Sequence, residues 1–273
     1  MLKLMYITNN PEIAKIAESC GVERVFVDLE YIGKSDRQGG MDTVQSGHTI
    51  DDIRNIRSVL TKSELLVRCN PIHDATAEYS SSKEEIDAII ENGADIVMLP
   101  YFKTADEVKR FVDLVDGRAK TLLLVETPEA VDAIDEILEV EGIDEYFIGL
   151  NDLSLGYGKK FMFELLSDGT VENLCSKFKN KGFSYGFGGI ASIGHGLLPA
   201  EYVIAEHYRL GSTCVILSRS FCDINRIDSY EDAKILFENG LKGIRERETF
   251  YDRQGQAFFS DNSRTIRQII SQI

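Results

Sequence analysis

The sequence predicts an α/β chain, a (β/α)8 TIM barrel with a C-terminal helical extension. Three observations lead there. Short β-rich runs alternate with helical periods almost from end to end, the runs number eight, and 273 residues is the usual size for this architecture. A doubly wound open sheet shares the alternation, because periodicity does not show whether a sheet closes.

The runs are "LKLMYIT" (2–8), "RVFVDLE" (24–30), "ELLVRCN" (64–70), "DIVMLPY" (95–101), "KTLLLVET" (120–127), "EYFIGLN" (145–151), "FSYGFGGI" (183–190) and "TCVILSRSF" (213–221). Between them stand amphipathic stretches such as "SSKEEIDAIIENG", "TADEVKRFVDLVDG" and "PEAVDAIDEILEVEG". Several of these close on Gly, a common residue just past a helix C-terminus. No composition break divides residues 1–250, which read as one catalytic barrel domain. Residues 251–273 read as a tail. In "SRTIRQIISQI" the residues Ile266, Ile269, Ile270 and Ile273 recur at helical spacing, with Ser263 placed to cap a short helix. Such a helix needs a partner surface. The polar "RERETFYDRQGQ" before it predicts a reach to a neighbouring subunit, with the chain's own barrel as the alternative.

With 45 acidic and 30 basic residues the formal charge is −15, which disfavours nucleic acid and anionic membrane as partners. Cys20, Cys69, Cys175, Cys214 and Cys222 are scattered singly, without metal-site spacing, as suits a reducing cytoplasm. The apolar start "MLKLMYIT" is too short to span a bilayer, so a soluble cytoplasmic protein is expected.

In a parallel barrel the chemistry sits where strands end, and polar residues at strand starts serve stability. The second run ends on Asp28 and Glu30, the third carries Arg68, the fifth ends on Glu126, and Asp152 follows the sixth. Glu126 is the unusual one: "LLLVETPEA" runs from buried-type residues straight into a carboxylate. Two hard carboxylates on adjacent strands suit a divalent metal, magnesium or manganese, with cobalt as a further candidate. The alternatives are that Glu126 opens the next helix and that Asp152 caps a turn. Arg68 would offer its planar fork to a carboxylate, and its alternative is an internal salt bridge to Asp28 or Glu30. A cation beside such an arginine suggests a 2-oxo acid whose enolate the metal stabilises.

These stretches, with "FVDLE", "LLVRCNP", "GADIVMLPYFKTADEVKRFV", the block from "LLVETPEA" to "NDLSLGYG", and "HYRLGSTCVIL", resemble the HpcH/HpaI aldolases, metal-dependent pyruvate aldolases related to the citrate lyase β chain. The resemblance spans residues 22 to 222 and implies a divalent metal on Glu126 and Asp152. It also implies a pyruvate carboxylate on Arg68 and on backbone amides around Asn151 and Asp152, and a homo-oligomer with exchanged C-terminal helices. Three departures stand out. Tyr31 replaces the histidine that usually follows the second-strand acid, Leu124 replaces a glutamine, and "LN" replaces a proline-alanine pair before the metal aspartate.

The loop "YIGKSDRQGGMDTVQSGHT" (31–49) is long and aperiodic, with Gly39, Gly40 and Gly47 to let it fold back over the mouth. It would deliver Lys34, Arg37 or His48, and His48 is the first candidate for the missing base, with Glu30 and Asp28 also among the catalytic candidates. His73 and His195 lie on other mouth loops, while His207 falls in a helical stretch and reads as structural. "GFGGIASIGHG", including Gly189, and "SRS" after the eighth strand suggest amides for an anionic part of the substrate. The function expected is an aldolase joining or cleaving a small 2-oxo acid and an aldehyde. An acyl-CoA lyase of the citrate or malyl type and a non-catalytic oxo-acid binder are the alternatives.

Overall fold

Eight parallel strands close on themselves in sequence order, in a computed structural model that describes residues 1–34, 47–218, 221 and 227–273. They are β1 (Lys3–Ile7), β2 (Arg24–Asp28), β3 (Glu64–Arg68), β4 (Ile96–Leu99), β5 (Lys120–Val125), β6 (Glu145–Ile148), β7 (Ser184–Ile190) and β8 (Cys214–Leu217). Each lies within its expected run, and β1 pairs with β8 from Lys3 opposite Cys214 onward, which closes the barrel. An open doubly wound sheet is thereby excluded.

The helices begin where the sequence supplies caps. In α1 (Pro11–Ser19) the Asn10 side chain accepts the amides of Glu12 and Ile13, behind a first-turn proline. Following α2 (Ile50–Arg57), Ser81 with Glu84 opens α3 (Ser82–Glu91), and Thr104 with Glu107 opens α4 (Ala105–Val115), both as reciprocal capping boxes. Thr127 caps the short α5 (Pro128–Asp132), which runs into α6 (Ile134–Ile137). After β6 come α7 (Leu150–Gly156), α8 (Glu164–Ser167) and α9 (Thr170–Asn180); α10 (Ala200–Leu210) separates β7 from β8. Gly211, with φ of 74°, ends α10 in the left-handed conformation that glycine adopts without penalty.

Strand residues alternate between two buried environments. Val25 and Val27, Leu65 and Val67, and Leu123 and Val125 join the large core under the helices. Their neighbours Phe26, Leu66, Leu122, Leu124 and Phe147 form a separate apolar plug with Met5, Ile96, Met98 and Cys214. That plug is bounded by charge at both ends. At the strand starts Arg24, wholly buried, donates to both Glu145 oxygens at 2.7 and 2.6 Å and to Glu64 at 2.8 Å, while Lys120 reaches Glu64 at 2.6 Å. At the strand ends stand Asp28, Arg68 and Glu126.

The C-terminal region differs from expectation. The stretch 245–256 does not reach away: α11 (Tyr230–Tyr251) takes up most of it, past the expected boundary at 250, and the chain turns straight back into α12 (Gln256–Ile270). Phe258 closes that turn against Phe250 and Tyr251, with ring centroids 5.5 and 5.8 Å away. Gly255, not Ser263, is the N-cap of α12, and Ser263 is buried within the helix. In this chain α12 lies on α10 and α8 of its own barrel. Ile266 is buried, Asn262 Nδ2 donates to Glu206 Oε1 at 3.0 Å and to the Tyr202 carbonyl at 3.2 Å, and Ile273 stays exposed.

Removing residues 256–273 is therefore expected to lower the melting midpoint by roughly 5–10 °C, from loss of the Ile266 burial and the Asn262 bonds. Calorimetry on the truncated chain checks this. An unchanged midpoint with a smaller assembly mass would instead favour a role only between subunits.

Candidate active site

β2 and β3 pair in register with Asp28 opposite Arg68, so their side chains meet at the barrel mouth. Arg68 Nε and Nη2 donate to the two Asp28 oxygens at 2.8 and 2.7 Å, and Nη1 lies 3.2 Å from Glu30 Oε2. Lys34 turns inward as well, its ammonium 3.0 Å from Asp28 and 3.4 Å from Glu30. Burial works against the Arg68 charge, yet Asp28 and Glu30 outweigh it and hold its pKa above the ordinary value. The fork expected to grip a substrate carboxylate is thus closed on Asp28. What remains for a ligand is the Nη1 edge, shared with Glu30.

Glu126 lies one residue beyond β5 and is buried, level with Gly149 beyond β6. It does not cap the next helix, because the Thr127 hydroxyl takes the Ala130 amide at 3.1 Å. Its Oε1 instead accepts the Tyr101 amide from the end of β4 at 3.1 Å. Tyr101 has φ of 50°, a left-handed conformation that costs a non-glycine residue roughly 1–2 kcal/mol. Asp152 is also buried, but it belongs to the first turn of α7 rather than to a strand end. A carboxylate is electrostatically favoured there. Asn151 is exposed, and its carbonyl accepts the Ser154 hydroxyl at 2.7 Å.

His48 returns to the end of β2. Its Nδ1 accepts the Asp28 amide at 3.0 Å, so a neutral ring carries its proton on Nε2. Burial lowers its pKa, against the opposing pull of Asp28 and Asp52. In this arrangement the ring presents its Nε2–H as a hydrogen-bond donor, and its lone pair on Nδ1 is engaged by the Asp28 amide. Tyr31, at the family's histidine position, is exposed and lies against Tyr79 at 5.4 Å rather than entering the site. His73 staples its own loop, with ring nitrogens 2.7 and 2.8 Å from the Pro71 and Ser80 carbonyls, and His195 is exposed. Gly189 sits beside the register shift in β7, and the Gly194 amide expected to meet an anion is taken by Glu201 at 3.0 Å. Arg37, Gly39, Gly40, Arg219, Ser220 and Cys222 lie outside the described residues.

Sequence reading missed the support of the β2 turn. Asn70 Oδ1 accepts the amides of Tyr31 and Ile32, both at 2.9 Å, and its own side chain and amide are held by Glu85. The available signal was Glu85 itself, a carboxylate on the buried face of α3 with Ser82, Ile86 and Ile89.

The structural role of His207 is clear. It stacks on Phe187 at 3.7 Å and 3°, with Nδ1 2.8 Å from the Ser212 hydroxyl. Burial pushes its pKa down to about 3. Between that value and the unfolded value near 6.5, only the unfolded chain binds this proton, so stability falls as pH drops through the window. His207→Phe is expected to flatten the fall by up to about 1.4 kcal/mol per pH unit, measured by urea unfolding from pH 7 to pH 4.

The sequence profile of the HpcH/HpaI aldolase/citrate lyase family matches residues 3–164, over half of the chain and all of the carboxylate and arginine set above. A 2-keto-3-deoxy-L-rhamnonate aldolase of Escherichia coli O1:K1 / APEC is 29% identical over 116 residues, covering 32% of this chain and 43% of the relative. One from Escherichia coli O17:K52:H18 (strain UMN026 / ExPEC) is 31% identical over 107 residues, covering 28% and 40%. The chain thus spans less than half the length of these curated relatives. Among solved structures, an HpcH/HpaI aldolase from Desulfitobacterium hafniense DCB-2 is similar with a TM-score of 0.61 at 18% identity, covering 80% of this chain and 86% of that one. A family protein from Burkholderia cenocepacia J2315 is similar with a TM-score of 0.63 at 14% identity, covering 90% and 94%. At these identities the two structures support the fold.

Proposed function

The chain belongs to the HpcH/HpaI aldolase/citrate lyase family, and from that premise we propose that it is a metal-dependent aldolase. It would make or cleave a carbon–carbon bond between a pyruvate-type 2-oxo acid and an aldehyde. The observation that carries this reading is the pair of buried carboxylates, Glu126 and Asp152, at the mouth beyond the adjacent strands β5 and β6. Two carboxylates at one mouth form an all-oxygen donor set, which suits magnesium or manganese over softer metals. The residues present therefore fit a divalent ion, with Glu126 and Asp152 as its ligands. When bound, the ion supplies Lewis-acid stabilisation of the charge that develops on the ketone oxygen of the oxo acid.

The chain's own residues do the rest. Asp28 fixes the plane of Arg68, leaving the Nη1 edge to meet the substrate carboxylate together with the amides at the start of α7, around Asn151 and Asp152. The carboxylate grip is then single-ended, not a full fork. His48 offers its Nε2–H as a hydrogen bond to the oxygen on which alkoxide charge develops, and Glu30, beside Arg68, is the candidate for the proton transfer. Gly189, in the β7 bulge, stands as a contact for the rest of the substrate. The names of the curated relatives, which are aldolases of a 2-keto acid, favour this over an acyl-CoA lyase. A homo-oligomer belongs to the same reading, supported by Ile273, exposed at the end of α12, and by the partly buried Ile269 and Ile270. Free thiols at Cys20, Cys69, Cys175 and Cys214 support a cytoplasmic setting. Among the described residues no helix is long and apolar enough to cross a membrane.

Exchange of pyruvate methyl protons into D2O with added Mn²⁺ tests the reading. The wild type is expected to exchange. Glu126→Gln and Asp152→Asn should slow exchange by more than about a hundredfold, beyond what changes outside the ligand set produce. A wild type that binds pyruvate but exchanges nothing is a non-catalytic binder. Arg68→Lys is expected to raise KM for the oxo acid roughly tenfold to a hundredfold with little change in metal affinity, read by steady-state kinetics beside a metal titration.

A further inference from the structure

Two backbone positions, on either side of β5, hold one carboxylate. We propose that Tyr101 and Gly149 are positioning residues that fix Glu126 in the pose a divalent ion requires, an inference that rests on the metal reading above.

The Tyr101 amide reaches Glu126 Oε1 from the β4 side, and the backbone pays for it with a φ of 50°. The next residue shows why. Phe102 is buried, and its carbonyl accepts the Thr127 hydroxyl at 2.7 Å, the same hydroxyl that caps α5. The chain after Tyr101 is pinned by that bond, so relaxing φ to a negative value would rotate the amide away from Glu126. The left-handed turn reconciles two adjacent contacts, one to the candidate ligand and one to the residue after it.

Gly149 acts from the β6 side by what it lacks. Its φ of −81° is open to any residue, so no backbone constraint requires glycine. The space does. An added Cβ would stand 2.7 Å from Glu126 Oε2, 2.8 Å from Glu126 Cβ and 3.2 Å from Leu124 Cδ1. Glu126 therefore lies flat against the turn that leads into α7, three residues before Asp152. One oxygen is set by an amide and the other by close backbone approach, so the carboxylate is positioned before any ion arrives.

The test combines calorimetric titration of MnCl2 with thermal melts of the metal-free protein. Wild type is expected to bind Mn²⁺, and Gly149→Ala to bind it at least about tenfold more weakly while still folded. Tyr101→Gly, which keeps the amide and suits the φ, should hold wild-type affinity within about twofold. In metal-free melts Gly149→Ala should lower the midpoint in wild type and by less in a Glu126→Gly background, where both Glu126 contacts are gone. Wild-type affinity in Gly149→Ala, or a tenfold loss in Tyr101→Gly, would overturn the assignment. Should the wild type bind no Mn²⁺, the metal reading fails by itself. The melting cycle then still decides the clamp, because additivity of the Gly149 and Glu126 changes would refute it.

Discussion

Arg24 spans the floor of the barrel, and the rest of the molecule is built on that contact. Its guanidinium reaches from β2 to Glu145 on β6, across the interior rather than along the sheet, and to Glu64 on β3 next door. A wholly buried arginine is tolerable only when its donors are answered, and removing either partner would strand a charge in the core. The bidentate geometry therefore fixes which face of three strands points inward. Since strand side chains alternate with period two, orienting Arg24, Glu64 and Glu145 also orients Phe26, Leu66 and Phe147 above them. The next inward positions are Asp28, Arg68 and Gly149. The floor thus sets the mouth.

The layers also separate the tasks of charge. At the floor, ion pairs are shut off by the apolar plug and serve orientation. At the mouth a second group, Asp28, Glu30, Lys34 and Arg68, is closed largely upon itself among the described residues. Glu126 and Asp152 stand across the mouth from it. Glu126 accepts the Tyr101 amide, and Asp152 stands in the first turn of α7. The chemistry is therefore asymmetric around the mouth, with two cations and two carboxylates paired over β2 and β3 and the proposed ligands over β5 and beyond.

Much of this was legible in the sequence, for definite reasons. A parallel strand buried on both faces reads as a continuous apolar run, so all eight strands fell within their expected stretches, and amphipathic periods closing on glycine marked helices between them. Arg68 and Glu126 were visible as charged residues ending apolar runs. For Arg68 the sequence offered a substrate carboxylate or an internal bridge to Asp28 or Glu30 and did not choose, because those carboxylates come from a strand end about forty positions away. Ser263 misled because a serine inside a helix looks, in sequence, like a serine that begins one. The left-handed turn at Tyr101 leaves no trace, since tyrosine carries no preference for it. Gly149 was readable as a glycine but not as a void shaped to a neighbouring glutamate.

The clasp between the start of β1 and α11 carries a consequence for synthesis. The Leu2 amide donates to Glu248 Oε1 at 2.5 Å, and Arg245 holds the Leu2 carbonyl at 2.9 Å and Glu23 beyond it. β1 has its second neighbour only in β8. Of the eight strands β1 is made first and enclosed last, waiting, at some 5–20 residues per second, for more than ten seconds until α11 arrives. During that interval its apolar Leu4 and Met5 lack the neighbours that β8 supplies, Val215 and Ile216. Contacts 246 and 243 residues apart in sequence thus latch the seam of the barrel, and until they form β1 keeps one open edge.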